Sequence, residues 1–406
     1  MKSLLPAALL LLACCASKNP GTPAGGDPQC PAGLTDCDHD GMCETDVTQI
    51  ANCGGCGLEC TSGPHSNPTC TSGHCGLTCV AGFGDCDGMT ANGCESDLTT
   101  PGSCGSCAVS CGGACVAGAC ATCDSGLALD SHDPLDAAKA LGLCDGVVAA
   151  RWVMPDGSAP PVTDKFDLGH GLLGGFGENI MPREGHQLVA ISSGTARQPG
   201  DMGFQSPQGF DKEYGGMHPM GFPKESPACP GIVTGPVRDA IALELVLKAP
   251  DWAKGLAFDF DFYTYEWPDF VCSTYNDFFV SLLSPIPAGQ TDGDISFDTM
   301  GNPISVNSAF VSVCGCSGGP PCMAGGKTFN CTAGKAELIG TGFQSGTTDH
   351  AATSWLTTTA PVEPGSTITL RLAIYDSGDP QLDSTTLLDK FRWLPRSPVV
   401  STEPIP

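Results

Sequence analysis

The stretch Phe258-Asp259-Phe260-Asp261-Phe262-Tyr263 alternates aromatic and acidic residues. A period of two puts the three Phe on one face of a strand and both Asp on the other. The same period recurs on either side. Ile241, Leu243, Leu245 and Leu247 alternate with Ala242, Glu244, Val246 and Lys248. Ile368, Leu370, Leu372 and Ile374 alternate with Thr369, Arg371, Ala373 and Tyr375. Ile295-Ser-Phe297 and Ile304-Ser-Val306 flank a Gly301-Asn302 turn, a hairpin signal, and Asp383 to Leu394 reads as a final strand. One short helix is expected, with Asp133 as N-cap, Pro134 in the first turn and Gly142 as the stop. Strands separated by Pro/Gly turns predict a mainly β fold. Over residues 124–395 the expectation is an antiparallel, jelly-roll-like β-sandwich head.

Composition changes at Cys123. Of 17 Phe, 5 Trp and 5 Tyr, only Phe83 precedes it, and no Lys or Arg lies between Cys30 and Cys123. That stretch holds Cys30, Cys37, Cys43, Cys53, Cys56, Cys60, Cys70 and Cys75, then Cys79, Cys86, Cys94, Cys104, Cys107, Cys111, Cys115 and Cys120. The two sets have matching spacing, and Asp36-Cys37-Asp38 reappears as Asp85-Cys86-Asp87. They define Cys-rich repeats at 30–78 and 79–123. Between Cys30 and Cys120 only 12 of 91 residues are Val, Ile, Leu, Met, Phe, Trp or Tyr, too few for a hydrophobic core. Eight cysteines per repeat allow four internal bridges, whose connectivity spacing does not fix. Cys53/Cys56 and Cys104/Cys107 also have zinc-ribbon spacing, but the even count favours disulfides. Beyond the repeats, Cys123–Cys144 and Cys229–Cys272 are the expected pairs, with Cys314, Cys316, Cys322 and Cys331 stapling a Gly/Pro loop.

The chain opens with Lys2, an apolar run from Leu4 to Leu12, and Leu11-Leu12-Ala13-Cys14. The run is too short to span a bilayer. A small residue before a cysteine resembles a bacterial lipobox. The resemblance implies a signal peptide over 1–13, acylation of Cys14 and a Pro/Gly tether over 14–29. Cleavage near Ala16 is the alternative. With 44 acidic and 18 basic residues, a formal charge of −26, the chain lacks the basic footprint of a nucleic-acid binder. The expected setting is the outer membrane or surface of a Gram-negative bacterium, reached through an N-terminal lipid, with residues 396–406 as a tail.

Four further segments carry a resemblance: Ala138-Lys-Ala-Leu-Gly-Leu-Cys144, Tyr263-Thr-Tyr-Glu266-Trp-Pro268, Cys272-Ser-Thr-Tyr-Asn276-Asp277-Phe-Phe, and Asp383-Ser-Thr-Thr-Leu-Leu-Asp389. Over about 130–394 the chain resembles a choice-of-anchor L domain. That family implies surface location and a binding or structural role, and it supplies no catalytic residues.

Oxygen-bearing side chains cluster at the expected loop ends. Asp259, Asp261, Glu266, Asn276, Asp277, Asp376, Asp379 and Asp383 are candidate Ca²⁺ ligands in the head. They could instead hydrogen-bond a sugar, with Tyr265, Trp267 or Trp355 as a stacking surface, or simply be solvated turn residues. In the first repeat, Asp36-x-Asp38-x-Asp40-Gly41 matches the start of a calcium loop, although Val47 stands where an EF-hand places its Glu. Gly169-His170-Gly171-Leu-Leu-Gly174 and Gly315-Cys-Ser317-Gly-Gly319 match enzyme motifs without the strand–helix context those motifs require. An Asp259/Glu266 pair is the nearest approach to a glycosidase. The sequence therefore reads as a non-enzymatic surface lipoprotein that binds a glycan or surface protein, with calcium as a candidate cofactor. A passive envelope component and a polysaccharide hydrolase are the alternatives.

Overall fold

The computed structural model describes residues 30–344 and 350–405. Cys14, the signal peptide and the tether lie outside the described residues. The chain divides into two compact units: residues up to Val80 with Asp87–Cys94, and Ala81–Cys86 with Glu95 onward. Among the described residues no helix is long and apolar enough to cross a membrane.

Each Cys-rich repeat closes four bridges, and both use one connectivity. Cys30–Cys43, Cys37–Cys56, Cys53–Cys70 and Cys60–Cys75 join the first cysteine to the third, second to fifth, fourth to seventh and sixth to eighth. Cys79–Cys94, Cys86–Cys107, Cys104–Cys115 and Cys111–Cys120 repeat that order. The CxxC pairs are thus spent on disulfides. Secondary structure here is short hairpins such as Ser66–Thr71 with His74–Cys79. One close approach explains a repeated glycine. Gly54, at φ +76°, faces the Gly73 carbonyl, and Gly105, at φ +70°, faces that of Gly118; a Cβ at either would strike backbone.

The larger unit is an antiparallel β-sandwich. One sheet of four strands runs in the order Phe278–Ser284, Thr367–Ser377, Val237–Lys248, Val147–Val153. The other is seven-stranded. Its path is His170–Leu173, Leu188–Ser192, Ser384–Leu394, Gly255–Thr264, Leu356–Pro361, Ser401–Pro404, and Ala351–Ala352 also pairs with Gly255–Thr264. Phe258, Phe260 and Phe262 meet Leu243, Leu245, Leu247, Leu370 and Leu372 in one core between the sheets, as the period of two requires. Outside the seven-stranded sheet a second core gathers Phe176, Tyr263, Tyr265, Phe343 and Trp355. That sheet is therefore buried on both faces.

Helix Pro134–Ala140 forms with Asp133 accepting Leu135 N–H at 2.9 Å, and Gly142 follows at φ +100°. The hairpin expected around Gly301-Asn302 keeps its turn, with Asp298 N–H donating to Asn302 O at 2.9 Å, but pairs only at isolated bridges. The segment after residue 395 contributes the edge strand Ser401–Pro404, so Ser384–Leu394 is not the last strand. Cys123–Cys144, Cys229–Cys272, Cys314–Cys331 and Cys316–Cys322 complete the bridges. Twelve disulfides are the mark of an oxidising compartment, so the chain is an exported protein.

Candidate functional site

Strands of both sheets end together at one end of the sandwich, and acids gather there. Phe278 pairs with Tyr375, which sets Asp277 beside Asp376. Ser384 Oγ donates to Asp277 Oδ2 at 2.6 Å. Tyr265 N–H donates to Asp383 O at 3.2 Å, and Asn276 N–H to Ser377 O at 3.2 Å, which draws the Glu266 and Asn276 turn onto the same end. Gly194 leaves the room that the Asp383 carboxylate occupies; a Cβ there would strike it.

Two members were invisible in the sequence. The ladder between Val237–Lys248 and Thr367–Ser377 slips between Arg238 and Ile241, and Asp239 lies in that bulge at φ +50°. Its Oδ2 accepts Lys212 N–H at 2.7 Å, while Lys212 Nζ donates to Ser192 O at 2.8 Å and Asp239 O at 2.9 Å. A bulge breaks the alternation, so no periodic pattern could point to Asp239. Lys212 comes from an irregular loop.

Asp239, Glu266, Asn276, Asp277, Asp376, Asp383 and Lys212 are all buried, none more than 2% exposed. Asp239 Oδ1, Glu266 Oε2, Asn276 Oδ1 and both carboxylate oxygens of Asp376 and Asp383 have no hydrogen-bond partner among the described residues. Five carboxyl groups face one ammonium. Burial first, then Asp376 and Asp379, pushes Glu266 well above the usual carboxylate range. Asp277 rises through burial and then the charges of Asp376 and Glu266, and Asp383 through burial and then Asp376. Asp376 also rises through burial, and Asp239 is raised to about 6 for the same first reason. Burial lowers Lys212 despite its acidic neighbours. Such a cluster must take up protons or a cation. Its oxygens are spread wider than the 4.8 Å that encloses the half-buried Asp36 and the exposed Asp38, Asp40 and Glu44.

Asp259 and Asp261 do not join. Asp259 Oδ1 takes Arg392 Nη1 at 2.9 Å and Thr357 Oγ1 at 2.6 Å, while Arg183 Nε lies 3.4 Å from Oδ2. Asp261 accepts Thr353 Oγ1 at 3.2 Å on the outer face of its sheet. Asp379 is half-buried and accepts Gln381 N–H at 3.1 Å. The expected sugar platform is corrected: Tyr265, Trp267 and Trp355 are 7%, 1% and 8% exposed and pack inside the protein. The Asp259/Glu266 pair is equally out of reach of a polymer. His170–Leu173 is a buried edge strand, not a phosphate loop.

An accessible cavity of about 460 Å³ lies elsewhere on the head. Asn307, Ser308, Lys327, Phe329, Asn330 and Thr332 line it, with Cys331 in its wall. Asn302 is fixed there by four hydrogen bonds with Asp298, Ser226 and Ala228, and Asn307 Oδ1 accepts Cys272 N–H at 2.7 Å. Cys314–Cys331 and Cys229–Cys272 hold the wall and its neighbour. Amides, hydroxyls, Lys327 and apolar side chains are mixed there and give no sequence periodicity to find.

Residues 237–391 match the model of the choice-of-anchor L domain. This choice-of-anchor L segment contains Asp239, Glu266, Asn276, Asp277, Asp376 and Asp383 and both sheets' central strands. It starts well after residue 130, so Ala138–Cys144 and Lys212 lie outside it. No curated protein matches the chain. A solved structure described as the K2 cleaved adhesin domain of Lys-gingipain is similar at 12% identity, covering 62% of this chain and 90% of that one. Its TM-score of 0.23 is too low to carry an argument.

Proposed function

We propose that the protein is a cell-surface binding module whose head is held rigid by calcium and takes a glycan or a surface protein as ligand. One observation carries this reading: seven side-chain oxygens without partners in a buried, net-acidic end of the sandwich. Ca²⁺ takes six to eight oxygen ligands and tolerates irregular geometry. A proton shared between Asp277 and Asp376 relieves that pair but leaves Asp239 Oδ1, Glu266 Oε2 and Asn276 Oδ1 without partners among the described residues. An ion satisfies those oxygens and draws the acids together. The ligand enters the 460 Å³ cavity, where amides and hydroxyls beside Lys327 and Phe329 suit a hydroxyl-rich partner with an apolar face.

The rest of the reading follows from charge and chemistry. Cys14 carries the lipid that anchors the chain to the outer membrane. No catalysis is assigned, because the candidate acids are buried or paired with arginine. The net charge of −26 argues against nucleic acid as partner.

The test is a glycan array probed with disulfide-intact protein, with calcium and with chelator. Binding that needs calcium and is lost in Asn330→Ala with Thr332→Ala supports the proposal. Silence on the array and against surface proteins in both conditions favours a passive envelope role. Hydrolysis of an arrayed polysaccharide would contradict the non-enzymatic reading.

A further inference from the structure

A third chemistry-bearing cluster lies at the edge of the seven-stranded sheet, and it uses nitrogen. His132 immediately precedes the Asp133 helix cap. Asp167 ends the short helix Asp164–Asp167, which Thr163 caps by accepting Phe166 N–H at 3.1 Å. His170 opens the edge strand His170–Leu173. Leu172 N–H donates to Leu129 O at 3.0 Å, so the chain leading to His132 runs along that edge.

His132 Nδ1 is 3.4 Å from Asp167 Oδ1, and His170 Nε2 is 4.0 Å from the same oxygen. One ligand atom from each residue lies within 4.8 Å of the other two. Tetrahedral zinc with ligands about 2.0–2.1 Å away spaces its donors about 3.3 Å apart. The three groups therefore need only a small contraction.

The second observation is independent of that spacing. His170 is 1% exposed, and neither ring nitrogen has a hydrogen-bond partner among the described residues. A buried imidazole normally has at least one partner. Trp152 stacks on it, with centroids 4.2 Å apart and planes 8° apart, and so fixes the ring plane.

We infer that His132, Asp167 and His170 form a site for a divalent transition metal, zinc foremost, with its fourth position open. Two imidazoles and one carboxylate exclude calcium and magnesium as preferred occupants. His132 and Asp167 are 65% and 40% exposed, so the open position faces solvent. Beside it lies a cavity of about 320 Å³ lined by Trp152, Pro160, Pro161, Thr163 and Asp167. A donor atom of a bound ligand entering that cavity would reach the metal. The site shares no residue with the acidic cluster or the 460 Å³ cavity, so it stands or falls separately from the proposed function.

The experiment is calorimetric titration of ZnCl₂ into chelator-stripped, disulfide-intact protein, alongside His132→Ala and Asp167→Asn. Both substitutions are at accessible positions outside the strands. One zinc per chain, weakened about tenfold or more by each substitution, is expected. Co²⁺ in wild-type protein gives an independent readout: an intense tetrahedral visible spectrum is expected, lost on adding zinc. No zinc uptake, uptake unchanged in both variants, or a weak octahedral Co²⁺ spectrum would overturn the assignment.

Discussion

Lys212 and Asp239 bind each other through backbone and side chain at once: Lys212 N–H donates to Asp239 Oδ2 at 2.7 Å, and Lys212 Nζ donates to the Asp239 carbonyl at 2.9 Å. Each is buried, and Lys212 is the ammonium that the five carboxyl groups face. Lys212→Gln removes a positive charge from an interior already short of them. In chelator the variant should lose about 1–3 kcal/mol, because the buried Ser192 and Asp239 carbonyls lose a charged donor. Calcium should recover much of that loss, because one fewer cation repels the ion. Melting curves with and without calcium check both parts.

The direction of the pH dependence follows from the same residues. Folding raises the affinity of Glu266, Asp277, Asp376 and Asp383 for protons, through burial first. The stability they contribute is complete below their ordinary values, 3.8 for Asp and 4.5 for Glu, and is lost as pH rises through their raised folded values. Asp239, raised to about 6, acts in the same direction. Lys212, lowered by burial, opposes them as one group against five. Chelated protein should therefore melt higher at about pH 5 than at about pH 8, and calcium should abolish most of that difference at the higher pH. A melting temperature that climbs with pH in chelator would contradict the assignment.

On the outer face of the four-stranded sheet, Glu244 stands in register between Arg371 and Arg151. Arg371 Nε lies 2.9 Å from Glu244 Oε2, and Arg151 bonds the other oxygen. Glu244 is 3% exposed, but the Arg151 side chain is 62% exposed, so solvent screens half of the arrangement. Glu244→Gln should cost about 2 kcal/mol, below the figure for a fully buried pair. Arg151→Ala should cost under about 1 kcal/mol. Urea denaturation of the two variants gives the comparison.

Reduction should separate the two kinds of stability. The repeats have little apolar material, and each bridge contributes roughly 2–4 kcal/mol. After treatment with a reductant, limited proteolysis should cut between Cys30 and Cys123 first, while fragments containing the Phe258–Phe262 core persist. Protease resistance of the repeats after full reduction would refute their dependence on sulfur.

The sandwich was legible because period-two strands bury one face, and Phe258, Phe260 and Phe262 behave as that rule requires. Outside the repeats, Cys123–Cys144 and Cys229–Cys272 match the expected pairs, whereas the pairing of Cys314 with Cys331 and Cys316 with Cys322 had no signal in the spacing. Glu266, Asn276, Asp277, Asp376 and Asp383 were legible only as polar residues near strand ends; their convergence depends on the pairing of Phe278–Ser284 with Thr367–Ser377, which no local pattern states. Asp259 and Asp261 were misplaced because alternation says which face a residue takes, not what covers it. A second core covers that outer face, and arginine from distant positions reaches Asp259. Asp239 and Lys212 escaped because a bulge and an irregular loop have no period. His132, Asp167 and His170 escaped because the first is far from the others in the chain.

Whether the buried acids hold an ion is decided by calcium titration into chelator-stripped wild-type protein, compared with Asp383→Asn, with Asp376→Asn and with Asp36→Asn combined with Asp38→Asn. Calcium uptake and a higher melting temperature should survive the repeat substitutions and be lost in either head variant. Uptake confined to the repeat turn, or head variants that melt higher than wild type in calcium, would show that the buried acids share protons and hold no ion.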